Sequence, residues 1–103
     1  MAKTLNESCP VQKFTQMLGG KWKLNILYAL RKNAPLRFGK LHLVIEGISR
    51  KVLTEQLREL ERDGLVTRVH YSEKPPRVEY SMTERAKELC SVFGAIEEWV
   101  DQT

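Results

Sequence analysis

The stretch "GISRKVLTEQLRELERDGLV", residues 47–66, spells one amphipathic helix with both of its ends marked. Ser49 suits the N-cap, and Ile48 before it can staple hydrophobically onto Leu53 in the next turn. Near Asp63 the helix stops at Gly64, in the C′ position that favours left-handed backbone. Val52, Leu53, Leu57 and Leu60 cluster on the side that must pack inward. Advancing about 100° per residue puts Lys51, Thr54, Glu55, Arg58 and Arg62 on the opposite side, with Arg50 at the N-terminal edge. A helix of this kind suits a DNA major groove, its first turn facing base edges and its cations reaching bases or phosphates. An ordinary helix with a solvated charged face would show the same stripe. The tight turn at Gly47 before it and the hairpin after it favour DNA. Glu55 has two roles open to it, accepting from a cytosine amino group or pairing with Lys51 or Arg58 along the helix, and the second is favoured in the free protein.

Upstream, "CPVQKFTQML" (9–18) predicts a short helix, with Pro10 in its first turn and Gly19-Gly20 ending it. "KWKLNILYALRK" (21–32) carries Trp22, Ile26, Leu27 and Leu30 on one stripe, and Ala34-Pro35 breaks it. "FGKLHLVI" (38–45) repeats apolar spacing at Phe38, Leu41 and Ile45 before the turn at Glu46-Gly47-Ile48.

Downstream, the period changes. "LVTRVHY" and "RVEYSM" are rich in β-branched and aromatic residues, and Val78, Tyr80 and Met82 alternate with polar neighbours. They flank "SEKPP", whose paired prolines cannot lie inside a central strand, so a β-hairpin is predicted. It carries Arg68, His70, Lys74 and Arg77 around a proline-stiffened tip, which fits a wing lying on phosphates or in the minor groove. A solvated hairpin is the plainer alternative. Thr83 then caps a single predicted helix, "ERAKELCSVFGAIEEWV", with Leu89, Val92, Phe93, Ile96, Trp99 and Val100 at helical spacing. The fold expected is mainly α with a small β-hairpin wing, a winged helix-turn-helix with an additional helix at each end, forming one domain over 1–103.

A chain of 103 residues can build one core and little more. Its 42% hydrophobic and 29% charged residues are ordinary for a soluble globular protein, and its net charge of +4 is compatible with nucleic acid. The apolar runs are too short for a membrane helix, and "MAKTLNES" lacks the apolar core of a signal peptide, so a cytoplasmic location is expected. There is no Gly-rich phosphate loop, no nucleophile–base set and no length left for a substrate domain, so no enzyme is expected. Cys9, His42, His70 and Cys90 show no paired ligand spacing, which ranks a metal-responsive repressor low and predicts neither metal nor cofactor. A winged helix used only for protein interaction remains a competing class.

A dimer is expected because one small module reads few base pairs, and two-fold pairing on a pseudo-palindromic operator is the usual remedy. The last helix also bears more apolar surface than one small core easily covers, although it could fold back on its own domain. Of the two thiols, Cys90 falls in the apolar register of that helix and reads as packing. Cys9 differs. Pro10 puts it at a helix N-terminus, where the macrodipole favours a thiolate, with Lys3 and Lys13 near in sequence. A neutral cap or a buried contact is the alternative.

"GGKWKLNIL", "GISRKVLTEQLRELERDGLV" and "PPRVEYSMTE", in this order, resemble the HxlR-type family of bacterial and archaeal transcriptional regulators, over nearly the whole chain. The resemblance implies a homodimeric winged-helix regulator with its terminal helices at the dimer interface. Ser49, Arg50, Lys51, Thr54 and Arg58 would lie in the recognition helix, and "EKPPR" would be the wing, with Lys74 and Arg77. Phe14, Leu89, Val92, Phe93, Ile96, Trp99 and Val100 are the expected interface residues. Family members frequently carry an N-terminal Cys-Pro, and in several branches it senses electrophiles, quinones or oxidants. Two departures stand out: Ala86 where glycine is common, and Arg50 where glutamine is common. The second bears on operator preference. The expected function is therefore a DNA-binding transcriptional regulator, a repressor in the simplest reading, responsive to an oxidant or electrophile if Cys9 is reactive.

Overall fold

The computed structural model describes residues 8–103. Lys3, placed beside Cys9 in the sequence reading, lies outside them. The elements run α1 (Pro10–Leu18), α2 (Lys23–Asn33), β1 (Leu36–Arg37), α3 (Phe38–Val44), α4 (Arg50–Arg62), β2 (Val66–Tyr71), β3 (Arg77–Met82), α5 (Glu84–Lys87) and α6 (Cys90–Asp101). The three strands form one antiparallel sheet in the order β1-β3-β2.

Each boundary of α4 has a local cause. Ser49 Oγ accepts from the Val52 N–H at 3.1 Å, closing one of the orphan donors of the first turn. Ile48 and Leu53 are both buried in the core, as a hydrophobic staple requires. At the far end the Leu65 N–H donates to the Leu60 carbonyl at 2.9 Å and the Gly64 N–H to the Glu61 carbonyl at 3.1 Å. That pair of bonds is a Schellman closure, and Gly64 adopts the φ of +78° it needs. Gly47 turns the chain between α3 and α4 with φ +88°, a conformation in which a side chain is strained even where space allows it.

Ile26, Leu27 and Leu30 of α2, Leu41 of α3, and Leu53, Leu57 and Leu60 of α4 form the centre of the core. Burying a side chain of this size contributes about 1.5–3 kcal/mol. Tyr80 and Met82 bring the sheet onto the helices, on the alternate positions of β3 that face inward. A 2.7 Å ion pair between Lys23 and Glu59 ties α2 to α4, and it holds the Glu59 carboxyl below its usual range.

Two expectations need correction. A third strand exists: Leu36 and Arg37 pair with Tyr80 and Glu79. Two residues are too few to set up an alternating pattern, so its only signal was position after Ala34-Pro35. The C-terminal segment is two helices rather than one. Thr83 Oγ1 accepts from the Ala86 N–H at 3.1 Å and donates to the Gly64 carbonyl at 2.7 Å, anchoring α5 to the end of α4. After Lys87 the chain turns through Glu88 and Leu89 before α6 begins. A short offset between two helices leaves the apolar spacing almost unchanged, so the break is invisible in the pattern.

Candidate nucleic-acid interface

The outward side of α4 presents Lys51, Glu55 and Arg58 to solvent, with Thr54 half-buried between them. Thr54 Oγ1 donates to the Arg50 carbonyl at 2.8 Å, so its proton is committed and its lone pairs remain open to a donor. Arg50, the first residue of the helix, places its guanidinium carbon 5.7 Å from the centre of the Phe38 ring on α3. Glu55 makes no ion pair with Lys51 or Arg58, contrary to the favoured expectation. A pair worth a few tenths of a kcal/mol does not hold two long exposed side chains together.

In the wing, β2 and β3 pair in register from Val66 with Met82 to Tyr71 with Arg77. Arg77 is committed there: it pairs with Glu73 and, at 3.2 Å, with Glu79, and lies 4.1 Å from the centre of the Tyr71 ring. Its charge is spent on holding the wing together. Lys74 at the tip is exposed and has no ion-pair partner among the described residues. Arg68 of β2 faces Thr54 and Arg58 of α4 across a crevice of about 360 Å³. His70 is exposed on the same strand.

Ion pairing divides most cations of the described residues into two groups, with Lys13 and Lys21 near the N-terminal side as two further cations that pair with no carboxylate. Lys23, Arg31, Lys32, Arg62, Arg77, Arg85 and Lys87 are paired with carboxylates. Between β1 and β3, Arg37, Lys40, Arg50, Lys51, Arg58, Arg68 and Lys74 are not, and the unpaired carboxylates of that stretch are only Glu46, Glu55 and Glu61. The excess positive charge therefore gathers on the first turns of α3, on α4 and on the wing. Arg37 and Lys40 were not anticipated as site residues. Their signal was their position flanking Phe38 at the start of the helix that packs beside α4, legible only once the two helices are placed together.

The terminal helices divide as well. Phe14 and Leu89 are half-buried against the chain's own core. Phe93 belongs to that core, 4% exposed and edge-on to Tyr28 with ring centres 5.6 Å apart, so it cannot be part of a free apolar face. Val92, Ile96, Trp99 and Val100 do form such a face on α6; Trp99 is 68% exposed and Val100 53%. Glu97, on the side of α6 toward α2, accepts hydrogen bonds from the Tyr28 hydroxyl and, at 3.3 Å, from Arg31, with Lys32 at 3.4 Å. These groups, the tyrosine first, hold the Glu97 carboxyl below its usual range, and Glu97 in turn raises Arg31.

Cys9 is the N-cap of α1, half-buried, with no side-chain cap bond; its carbonyl accepts from the Lys13 N–H at 2.9 Å. Cys90 opens α6 and is also half-buried. It lines a crevice with Leu30, Arg31, Pro35 and Lys87 rather than sitting in the apolar core. His42 stacks on Phe38. The four candidate metal ligands thus belong to different elements, and among the described residues no three of His, Cys, Asp or Glu converge. No helix among those residues is long and apolar enough to cross a membrane.

Comparison with known proteins accords with this geometry. The HxlR-like helix-turn-helix family profile matches residues 17–103. An HTH-type transcriptional regulator of Halalkalibacterium halodurans is 46% identical over 83 residues, covering 81% of this chain and 74% of its own. The regulator YdeP of Bacillus subtilis is 42% identical over 93 residues, covering 90% and 72%. Among solved structures, a MarR-family transcriptional regulator from Porphyromonas gingivalis superposes with a TM-score of 0.89 at 35% identity, over 99% of both chains. The redox regulator HypR in its oxidized form gives 0.83 at 38%, over 92% of this chain and 97% of that one. The reduced form of YodB from B. subtilis gives 0.79 at 36%, over 91% and 92%. The fold is a winged helix-turn-helix, its relatives are transcriptional regulators, and the chain belongs to the HxlR-like helix-turn-helix family.

Proposed function

We propose that this chain is a cytoplasmic, homodimeric transcriptional repressor that reads a pseudo-palindromic operator with α4 in the major groove and the wing on the backbone. The observation that carries the reading is the partition of charge: seven cations from β1 through α4 to the wing tip pair with no carboxylate, whereas most of those elsewhere among the described residues are neutralised. Ser49, Arg50, Lys51 and Thr54, at the start of α4, form the groove-facing set, and Arg58, two turns further along, joins Arg37, Lys40, Arg68 and Lys74 as a phosphate contact. Arg77 shapes the wing and contributes less to the field, because Glu73 and Glu79 neutralise it. Val92, Ile96, Trp99 and Val100, with Phe14 and Leu89 at the margin, meet the second copy.

Cys9 is the proposed point of regulation. The similarity to HypR and to diamide-treated YodB supports it, as does the place of the half-buried Cys9 at the head of α1. A quinone would add to Cys9, the sulfur–carbon bond forming as the thiol proton passes to the reduced ring. The adduct would displace α1 and alter the angle between two heads that must meet half-sites about one helical turn apart. Two ion pairs tie the C-terminal helix to the reading helix, Glu97 joining α6 to α2 and Lys23–Glu59 joining α2 to α4.

A gel shift against the DNA flanking its own gene, at low salt, tests both parts. A retarded band that a quinone abolishes in the parent and leaves intact in Cys9→Ser supports them. No binding to any genomic fragment would instead favour a protein-interaction module, and equal release of Cys9→Ser would remove the thiol from the mechanism.

A further inference from the structure

We propose that Phe38 is a positioning residue for sequence reading: its ring, at the start of α3, holds the Arg50 guanidinium ready for a guanine edge. The inference rests on the DNA-reading function above and extends it to a residue that need not touch DNA.

Arg50 stands at the end of the helix that meets base edges in this fold. It is exposed and has no carboxylate partner among the described residues. Its directional neighbour is the Phe38 ring, 5.7 Å from the guanidinium carbon to the ring centre. That ring is itself held. Phe38 packs on the core, and one turn further along α3 the His42 ring lies parallel to it, within 4° and with centres 6.5 Å apart.

An arginine on a solvated helix end samples many rotamers, and fixing one of them on binding opposes affinity. A ring beneath the cation does part of that fixing in advance. A guanidinium attracted to a ring and to no carboxylate also keeps N–H donors free, and these are the groups that match guanine O6 and N7. Phe38 therefore sets how strongly Arg50 discriminates.

In vitro selection from a random duplex library tests this, using the parent chain, Arg50→Ala, Phe38→Leu, Phe38→Tyr and the Phe38→Leu/Arg50→Ala double variant. Thermal melting confirms that each is folded. Arg50→Ala identifies the position that Arg50 reads, by the guanine preference that disappears. Phe38→Leu, which keeps apolar volume and removes the ring, is expected to weaken preference at that position about 2- to 5-fold per half-site and leave other positions unchanged. Phe38→Tyr, which keeps the ring, should retain the preference. In the Arg50→Ala background Phe38→Leu should change nothing. A uniform loss across all positions, or additive effects in the double variant, would overturn the positioning role alone. Failure of the parent to enrich any sequence would overturn the DNA reading and this inference with it.

Discussion

Salt dependence distinguishes the unpaired cations from the paired ones quantitatively. If Arg37, Lys40, Arg58, Arg68 and Lys74 each neutralise one phosphate, a half-site displaces counterions with a slope of about −4.5 in log affinity against log salt, and a dimer about −9. Affinity would then fall by roughly five orders of magnitude between about 50 and 200 mM salt. Arg58→Ala removes one contact from each half-site and should reduce the magnitude of the slope by about 1.8. Lys74→Ala should do the same. Lys87→Ala is the control, because that ammonium already pairs with Glu84 at 3.0 Å on α5, outside the unpaired stretch. Fluorescence anisotropy of a labelled duplex, titrated across a series of KCl concentrations, reads all three slopes. Equal slopes for Arg58→Ala and the parent, or a change in slope for Lys87→Ala as large as that for Arg58→Ala, would refute the division of charge on which the interface is built.

Ser49→Ala removes the cap bond to Val52 and should destabilise the fold by about 1 kcal/mol, seen as a lower midpoint in urea unfolding with the slope unchanged. The carboxyls of Glu97 and Glu59 are depressed, so their stabilisation is present above the ordinary carboxylate range and lost as pH falls through their lowered values. Stability should accordingly decline as pH falls below the ordinary carboxylate range; Glu97→Gln should be less stable than the parent at neutral pH, with the gap closing as the solution is acidified. Trp99→Glu should convert the dimer to a monomer in sedimentation velocity, since its ring is exposed on the free face of α6 and contributes little to the core. A dimer as tight as the parent's would place the interface elsewhere.

Most of the fold was legible because its signals are local. The cap at Ser49, the Schellman glycine at Gly64, the break at Ala34-Pro35 and the alternation of Val78, Tyr80 and Met82 each act within a few residues. β1 was not, because a two-residue strand is created by its partner rather than by its own composition. The division of α5 from α6 was hidden for a related reason: Thr83 bonds back to Gly64, and no spacing within 84–100 records that long-range tie. At the candidate site, the sequence identified the cations but not their states. Arg77 and Lys74 look alike in "EKPPR", yet one is held by Glu73, Glu79 and Tyr71 while the other is free of ion pairs among the described residues. Phe93 shares the helical register of Ile96 and Val100, and only its packing on Tyr28 shows that it faces inward. Arg50 and Phe38 are twelve positions apart and meet because the Gly47 turn folds α3 beside the start of α4.

Dimethyl sulfate protection of guanine N7 on a selected duplex tests the central claim most directly, since N7 lies in the major groove. Insertion of α4 from two copies predicts two protected major-groove patches centred about 10 base pairs apart, with protection of the guanine that Arg50 reads lost from each in Arg50→Ala. A single patch, or binding with no N7 protection at all, would contradict it.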